Sequence, residues 1–244
     1  MSSHKNSSET IQFDYLYRLQ DGREKSFSLT LDKATLQLQS ENTEPLPDWT
    51  DLTYHQCPNC PLKPTESPRC PVATNFAPVM DAFKGDISYE MVEVEVKTHL
   101  RTYAAKVPLQ KAISSLMGIY MVTSGCPILD KLKPMVRHHL PFADGEETHY
   151  RILSMYLLAQ YFKYKKGLIP DWDLKDLQKI YEEIRVVNKS FSQRLASLAA
   201  QDAVPNAVVI LSTLADSMIF AIDHDFLSKI EKLFEAYLLP LRGT

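Results

Sequence analysis

Up to Val107 the apolar residues recur at every second position, and from Pro108 onward they recur at every third or fourth. A period of two marks strands with one wet face and a period of 3.6 marks helices, so the order of the two periods sets the fold class. Strands first and helices after point to α+β, a small N-terminal antiparallel sheet packed on a C-terminal all-helical bundle. Ile11 to Leu19 and Phe27 to Leu31 alternate, and Asp21-Gly22 between them supplies the positive φ of a tight hairpin turn. A third short strand is expected over Thr35 to Leu38. Val92, Val94 and Val96 alternate with Glu93, Glu95 and Lys97 in a strand from Ile87 to Lys97, with Thr102 to Lys106 as its returning partner.

Between these strands Cys70-Pro71 opens a helix through Phe83, which Pro78 should kink or shorten. After Pro108 a helical stripe of Leu109, Ala112, Ile113, Leu116, Met117 and Tyr120 runs to Gly125. Further helices are predicted from Pro127 to about His138, from Glu146 to Lys165, from a cap at Asp173 to Leu198, from Pro205 to Ile222 and from Phe226 to Leu238. The Glu146 helix is apolar nearly all round, which places it at the centre of the bundle. The expected organisation is a polar tail at 1–10, an α+β part at 11–107 holding a cysteine loop at 55–71, and a helical bundle at 108–244. The connecting segments Glu41 to Trp49 and Leu100 to Val107 are short, so the two parts should pack as one globular unit.

With 244 residues, 45% of them hydrophobic, the chain can bury a core without covalent staples, so its 4 cysteines need another explanation. Cys57, Cys60, Cys70 and Cys126 are each followed by proline, although only 15 residues of the chain are proline. Four thiols are what tetrahedral Zn²⁺ or a [4Fe–4S] cluster takes, and the two-residue gap between Cys57 and Cys60 lets both sulfurs reach one centre. Cys70 and Cys126 each stand where a helix cap is expected, with proline at the first helical position and unpaired amides that would stabilise thiolate. Pro61 removes an N–H that would bond back to sulfur in a zinc knuckle, which leaves Zn²⁺ and a cluster both open. His55, two residues before Cys57, is a candidate substitute ligand or a donor to a bound sulfur. A redox dithiol at Cys57 and Cys60 and an incidental set of cysteines are the competing readings.

Elsewhere, Arg137, His138, His139, Asp144, Glu146, Glu147 and His149 crowd into thirteen residues. Glu146 and His149 have the i, i+3 spacing of helix-borne di-iron sites, but the second such pair is missing. A solvated turn with an acidic helix start accounts for Asp144 to Glu147, while Arg137 and His138 become pocket residues if they face the cysteines. Asp216 inside an apolar helix calls for a partner, and a contact between helices explains it better than catalysis. No Walker loop, GxGxxG, GxSxG or HExxH occurs.

The formal charge is −3 and neither half has the basic excess that holds a polyanion, so nucleic acid is not an expected partner. The start MSSHKNSSET lacks the apolar run of a signal peptide, which suggests a reducing cytoplasm, where structural disulfides are rare. Val204 to Ile222 is interrupted by Asn206, Ser212, Thr213, Asp216 and Ser217 and suits a core helix better than a membrane span.

His55 to Leu62 (HQCPNCPL), Cys70 to Ala73 (CPVA), Ser114 to Gly118 (SSLMG), Thr123 to Pro127 (TSGCP) and Met155 to Phe162 (MYLLAQYF) together resemble a family of bacterial proteins of unknown function. The resemblance covers most of the chain and implies a bacterial origin, with no activity or cofactor to carry across. The sequence therefore supports a bacterial cytoplasmic protein with a four-cysteine metal site in a structural, sensory or regulatory role. The alternatives are a redox or metal-dependent enzyme using the cysteines with His55 or His138, and a metal-free helical protein that binds a partner or itself.

Overall fold

The computed structural model describes residues 9–39, 45–198, 201–223 and 226–239. Strands β1 (Thr10–Arg18), β2 (Glu24–Asp32), β3 (Met91–Lys97) and β4 (Thr102–Pro108) form one antiparallel sheet in the order β2-β1-β3-β4. The helices are α1 (Pro71–Phe83), α2 (Leu109–Val122), α3 (Lys133–Arg137), α4 (Gly145–Lys165), α5 (Lys175–Ala196), α6 (Ala203–Asp223), α7 (Phe226–Ile230) and α8 (Glu235–Leu238). The architecture is α+β with the sheet first, as the order of periods requires.

The hairpin turns at Gly22, whose φ is 86°, while the Asp21 carboxylate takes the Arg23 N–H. Alternation then buries Ile11, Phe13, Tyr15 and Tyr17 of β1 beside Val92, Val94 and Val96 of β3. On this face lies α2: the Tyr17 hydroxyl donates to the Ala112 carbonyl at 3.2 Å, and the Tyr15 hydroxyl meets Ser115 Oγ at 3.1 Å. Phe83, at the end of α1, packs on Tyr17 and Phe27 with ring centres 5.1 and 5.6 Å away. One cluster of buried residues runs from this sheet face through α1 and α2 into α5 and α6.

Several elements differ from their sequence patterns. Thr35 to Leu38 is a turn closed by the Asp32 carboxylate, with a single bridge between Leu31 and Leu38 in place of a strand. Pro78 sits within α1 without ending it, at the cost of the bond its missing N–H would give the Thr74 carbonyl. The Pro127 to His138 segment is a 3-10 turn at Leu129–Leu132 followed by the five-residue α3. Phe226 to Leu238 is likewise broken by a 3-10 turn at Glu231–Phe234. The α5 cap is Asp171, not Asp173: its carboxylate accepts the Asp176 N–H at 2.8 Å and the Lys175 N–H at 3.3 Å, while Asp173 pairs with Lys175 Nζ. Leu174 is held at φ 62° to let the chain turn back onto that cap.

The largest difference is α4. Its capping box of Asp144 and Glu147 forms as the acidic helix start suggests, but the helix lies at the edge of the bundle. Ile152, Leu153 and Tyr156 are buried, whereas Tyr150, Leu158, Tyr161, Phe162 and Tyr164 are exposed. The central positions belong to α5 and α6, which make the most extensive helix-to-helix contact. Among the described residues α6 alone is long and apolar enough to cross a membrane by length and composition. It uses that character to place Ala203, Val204, Ala207, Val208, Ala215 and Met218 in the core. Asp216 is 57% exposed and stands 3.6 Å from Arg185 of α5, so it is a rim contact between helices.

Candidate functional site

The four cysteines come from three places in the chain. Cys57 and Cys60 lie in a loop whose ends are pinned by backbone bonds from Leu52 to Pro68 and from Cys70 to Thr50, at 2.9 and 2.7 Å. Arg69 ties the same neck by donating to Pro47 O and Thr50 Oγ1 and by pairing with Asp51. Within the loop the Cys60 N–H closes a turn on the Cys57 carbonyl at 3.0 Å. The tip is held on α5, where Asn59 Nδ2 donates to the Glu183 carbonyl at 3.1 Å. Asn59 Oδ1 is buried with no donor among the described residues.

Cys70 caps α1 with Pro71 at the first helical position, and its carbonyl takes the Thr74 N–H. Cys126 follows Gly125, whose φ of 91° turns the chain sharply after α2. Its carbonyl accepts the Asp130 N–H, and the Ile128 and Leu129 N–H groups point at its sulfur. Cys126 thus opens a 3-10 turn, not an α-helix, yet the free amides do what the helix start was expected to do.

The fold brings these thiols within electrostatic reach of one another: Cys57 with Cys60, Cys70 and Cys126, and Cys126 with Cys60 and Cys70. All four are free thiols and partly buried. Burial pushes the Cys57 thiol up to about 11; the neighbouring thiols add to the rise and the Ser190 hydroxyl opposes it. Burial also raises Cys126, against the pull of its two amides. No three His, Cys, Asp or Glu side chains among the described residues are placed to hold a metal ion as they stand. The expected four-cysteine ligand set is therefore a cluster of neighbouring thiols and not a formed coordination sphere.

Arg194 of α5 supplies the charge that the sequence reading missed. It is 2% exposed and donates to the carbonyls of Trp49, Asp51 and Leu52, with its guanidinium 5.7 Å from the Tyr54 ring centre. Burial lowers its pKa, and negative charge on Cys70 and Cys57 would act in the opposite direction. No carboxylate forms an ion pair with it among the described residues, although Asp51 and Tyr54 also act on its charge, so this buried cation is held chiefly by carbonyl dipoles. The signal was legible: Arg194 falls three residues after Phe191 on the buried stripe of α5, where a charge requires a reason.

The other sequence candidates lie apart from this chemistry. His55 has φ 48°, is exposed, and sets its ring edge against Tyr54 at 5.0 Å, with no hydrogen bond to a cysteine. Arg137 donates to the Lys33 carbonyl, and His138 is exposed with its carbonyl taken by Arg151. His149 meets Ser217 Oγ at 3.0 Å. His139, given no separate role in the sequence reading, is bound at Nε2 by the Tyr15 hydroxyl at 2.8 Å with Ser115 Oγ at 3.5 Å. Burial, aided by Arg151, pushes it down to about 3, so it is neutral and a poor general base.

A family described as a domain of unknown function, DUF6901, matches residues 13–235. The chain belongs to that family. The DUF6901 match takes in the sheet, all four cysteines, Arg194 and the helices through the start of α8. No curated protein and no solved structure matches the chain.

Proposed function

We propose that the cysteine corner binds a thiophilic metal, Zn²⁺ or an iron–sulfur cluster, in a structural or regulatory role. The observation that carries this reading is the convergence of four thiols from three chain segments beside a buried arginine that makes no ion pair among the described residues. Thiolates are expensive to bury, and a metal removes that cost by binding them while Arg194 and the amides of Ile128 and Leu129 balance the remaining negative charge. The burial of Cys57 and Cys126 that keeps them protonated when empty makes uptake release protons and depend on pH. Metal binding would draw the loop at 57–60, the start of α1 and the turn after α2 toward one centre. A site with four thiolate ligands has no open position for substrate, which favours a structural or sensing role over catalysis.

The test is to purify the chain without oxygen, measure zinc and iron per chain, and record the visible spectrum, for the natural sequence and for Cys126→Ser. About one zinc with no colour supports the zinc form, and about four irons with absorbance near ~400 nm supports the cluster. In either case C126S should lose most of the metal. Protein that is folded and metal-free, and stays so when zinc is added, overturns the proposal.

A further inference from the structure

A cavity of about 780 Å³ lies between α2, the 3-10 turn and α3 after it, the start of α4, α5 and α6. That is within the range of small-molecule sites, and its walls are mostly aliphatic, with Ile119, Leu132, Ile184 and Leu214 among them. Two buried polar side chains of α5 line it without any hydrogen-bond partner among the described residues. Asn188 is 4% exposed and Tyr181 is 3% exposed, and the spacing 181, 184, 188 puts both on one helix face with Ile184 between them. With no bond inside the protein among the described residues, both groups are offered to whatever fills the cavity, water or a ligand.

Arg151 of α4 adds a charge beside them. Its Nη2 donates to the Met135 and His138 carbonyls at 2.9 Å each, which fixes the guanidinium, while Nη1 and Nε have no acceptor among the described residues. Tyr181 lies within electrostatic reach of Arg151. The other charged groups on the cavity are Lys111 and Asp144, and Glu147 also acts on Arg151. The oxygens of Asp144 and Glu147 that form the α4 capping box are engaged there, while the Nε and Nη1 groups of Arg151 remain free to donate. The Tyr15, Ser115 and His139 group that borders the same space is internally bonded.

We propose that this cavity binds an aliphatic carboxylate, a fatty-acid-like amphiphile, with its head group on Arg151 and Tyr181 and its chain along the aliphatic wall. Arg151 offers free N–H groups at Nε and Nη1, which only donate, and Tyr181 a hydroxyl that can donate as well, a set that suits a carboxylate. Asn188, about two helical turns along α5 from Tyr181, gains no bond from the aliphatic chain and keeps water on that side of the cavity.

Isothermal titration of the full chain with sodium decanoate and with 1-decanol tests this, alongside Arg151→Gln, Tyr181→Phe and Leu214→Trp. Saturable binding of one decanoate per chain is expected, with decanol weaker by at least about tenfold. R151Q should weaken decanoate by about tenfold or more while leaving decanol unchanged, and Y181F should weaken it less. L214W should fill the cavity and abolish both. Thermal unfolding of each variant, with a midpoint close to the parent's, shows that a loss is not a loss of fold. No saturable binding by the parent, equal binding of decanoate and decanol, or an R151Q variant that binds decanoate like the parent each overturns the proposal.

Discussion

Two faces of α5 serve opposite kinds of polar site. Near its C-terminal end Arg194 is buried with Nη1 and Nη2 bonded to loop carbonyls, and Ser190 is turned to Cys57. Tyr181 in the first half of the helix and Asn188 just past its middle are equally buried and have no hydrogen-bond partner among the described residues. The same helix thus holds one polar group that ties it to a loop and two that it leaves open to the cavity. A saturated buried polar group fastens two elements together, whereas an unsaturated one facing empty space is what a ligand would complete.

Arg194→Met breaks the saturated side and should have the largest effect. It strips a charged donor from the carbonyls of Trp49 and Asp51, which then remain buried, and should cost about 3 kcal/mol of stability in urea unfolding. A cost under about 1 kcal/mol would mean that water replaces the guanidinium there, and the distinction between the two faces of α5 would fail.

The next effect is on pH dependence beside the cavity. His139 is held neutral down to about 3 when folded, against an ordinary value near 6.5. Between those values the unfolded chain binds the proton and the folded one does not, so this residue makes stability fall as pH falls. The slope is at most about 1.4 kcal/mol per pH unit. His139→Gln should flatten the stability curve between about pH 6.5 and 3 relative to the parent, a difference that cancels the titration of shared carboxylates. Parallel curves would show that His139 is open to protons in the native state.

Tyr181→Phe and Asn188→Leu should have the smallest effect and the opposite sign. Removing an unpartnered polar atom costs no hydrogen bond, so stability should stay within about 0.5 kcal/mol of the parent or rise. A loss of more than about 1.5 kcal/mol from either would reveal a bond inside the protein and erase the contrast with Arg194.

Legibility in the sequence followed how local the cause was. The hairpin at Gly22, the proline-capped start of α1 at Cys70 and the acidic start of α4 depend on a few adjacent residues and formed as expected, the last with a capping box that the sequence reading did not specify. The cap of α5 misled because Asp171 reaches past Asp173 once Leu174 turns through a positive φ, a geometry that sequence spacing does not display. The apolar α4 pattern misled for a different reason: a helix apolar on all sides has no stripe to say which side is covered. Tyr161, Phe162 and Tyr164 were accordingly read as core and lie exposed. His139 stood out no more than His138 beside it, and only the Tyr15 hydroxyl, 124 positions away, separates their roles.

The sequence by itself determined the α+β class, the place where strands give way to helices, and the presence of four Cys-Pro steps, because periodicity and backbone restriction act within a turn or two. Only the tertiary structure decided that Cys126 comes within electrostatic reach of Cys57, Cys60 and Cys70, that Arg194 is the buried cation beside Cys57 and Cys70, and that Tyr181 and Asn188 face an open cavity. Those outcomes depend on how α5 is rotated against its neighbours, and that rotation is settled by packing summed over the whole core.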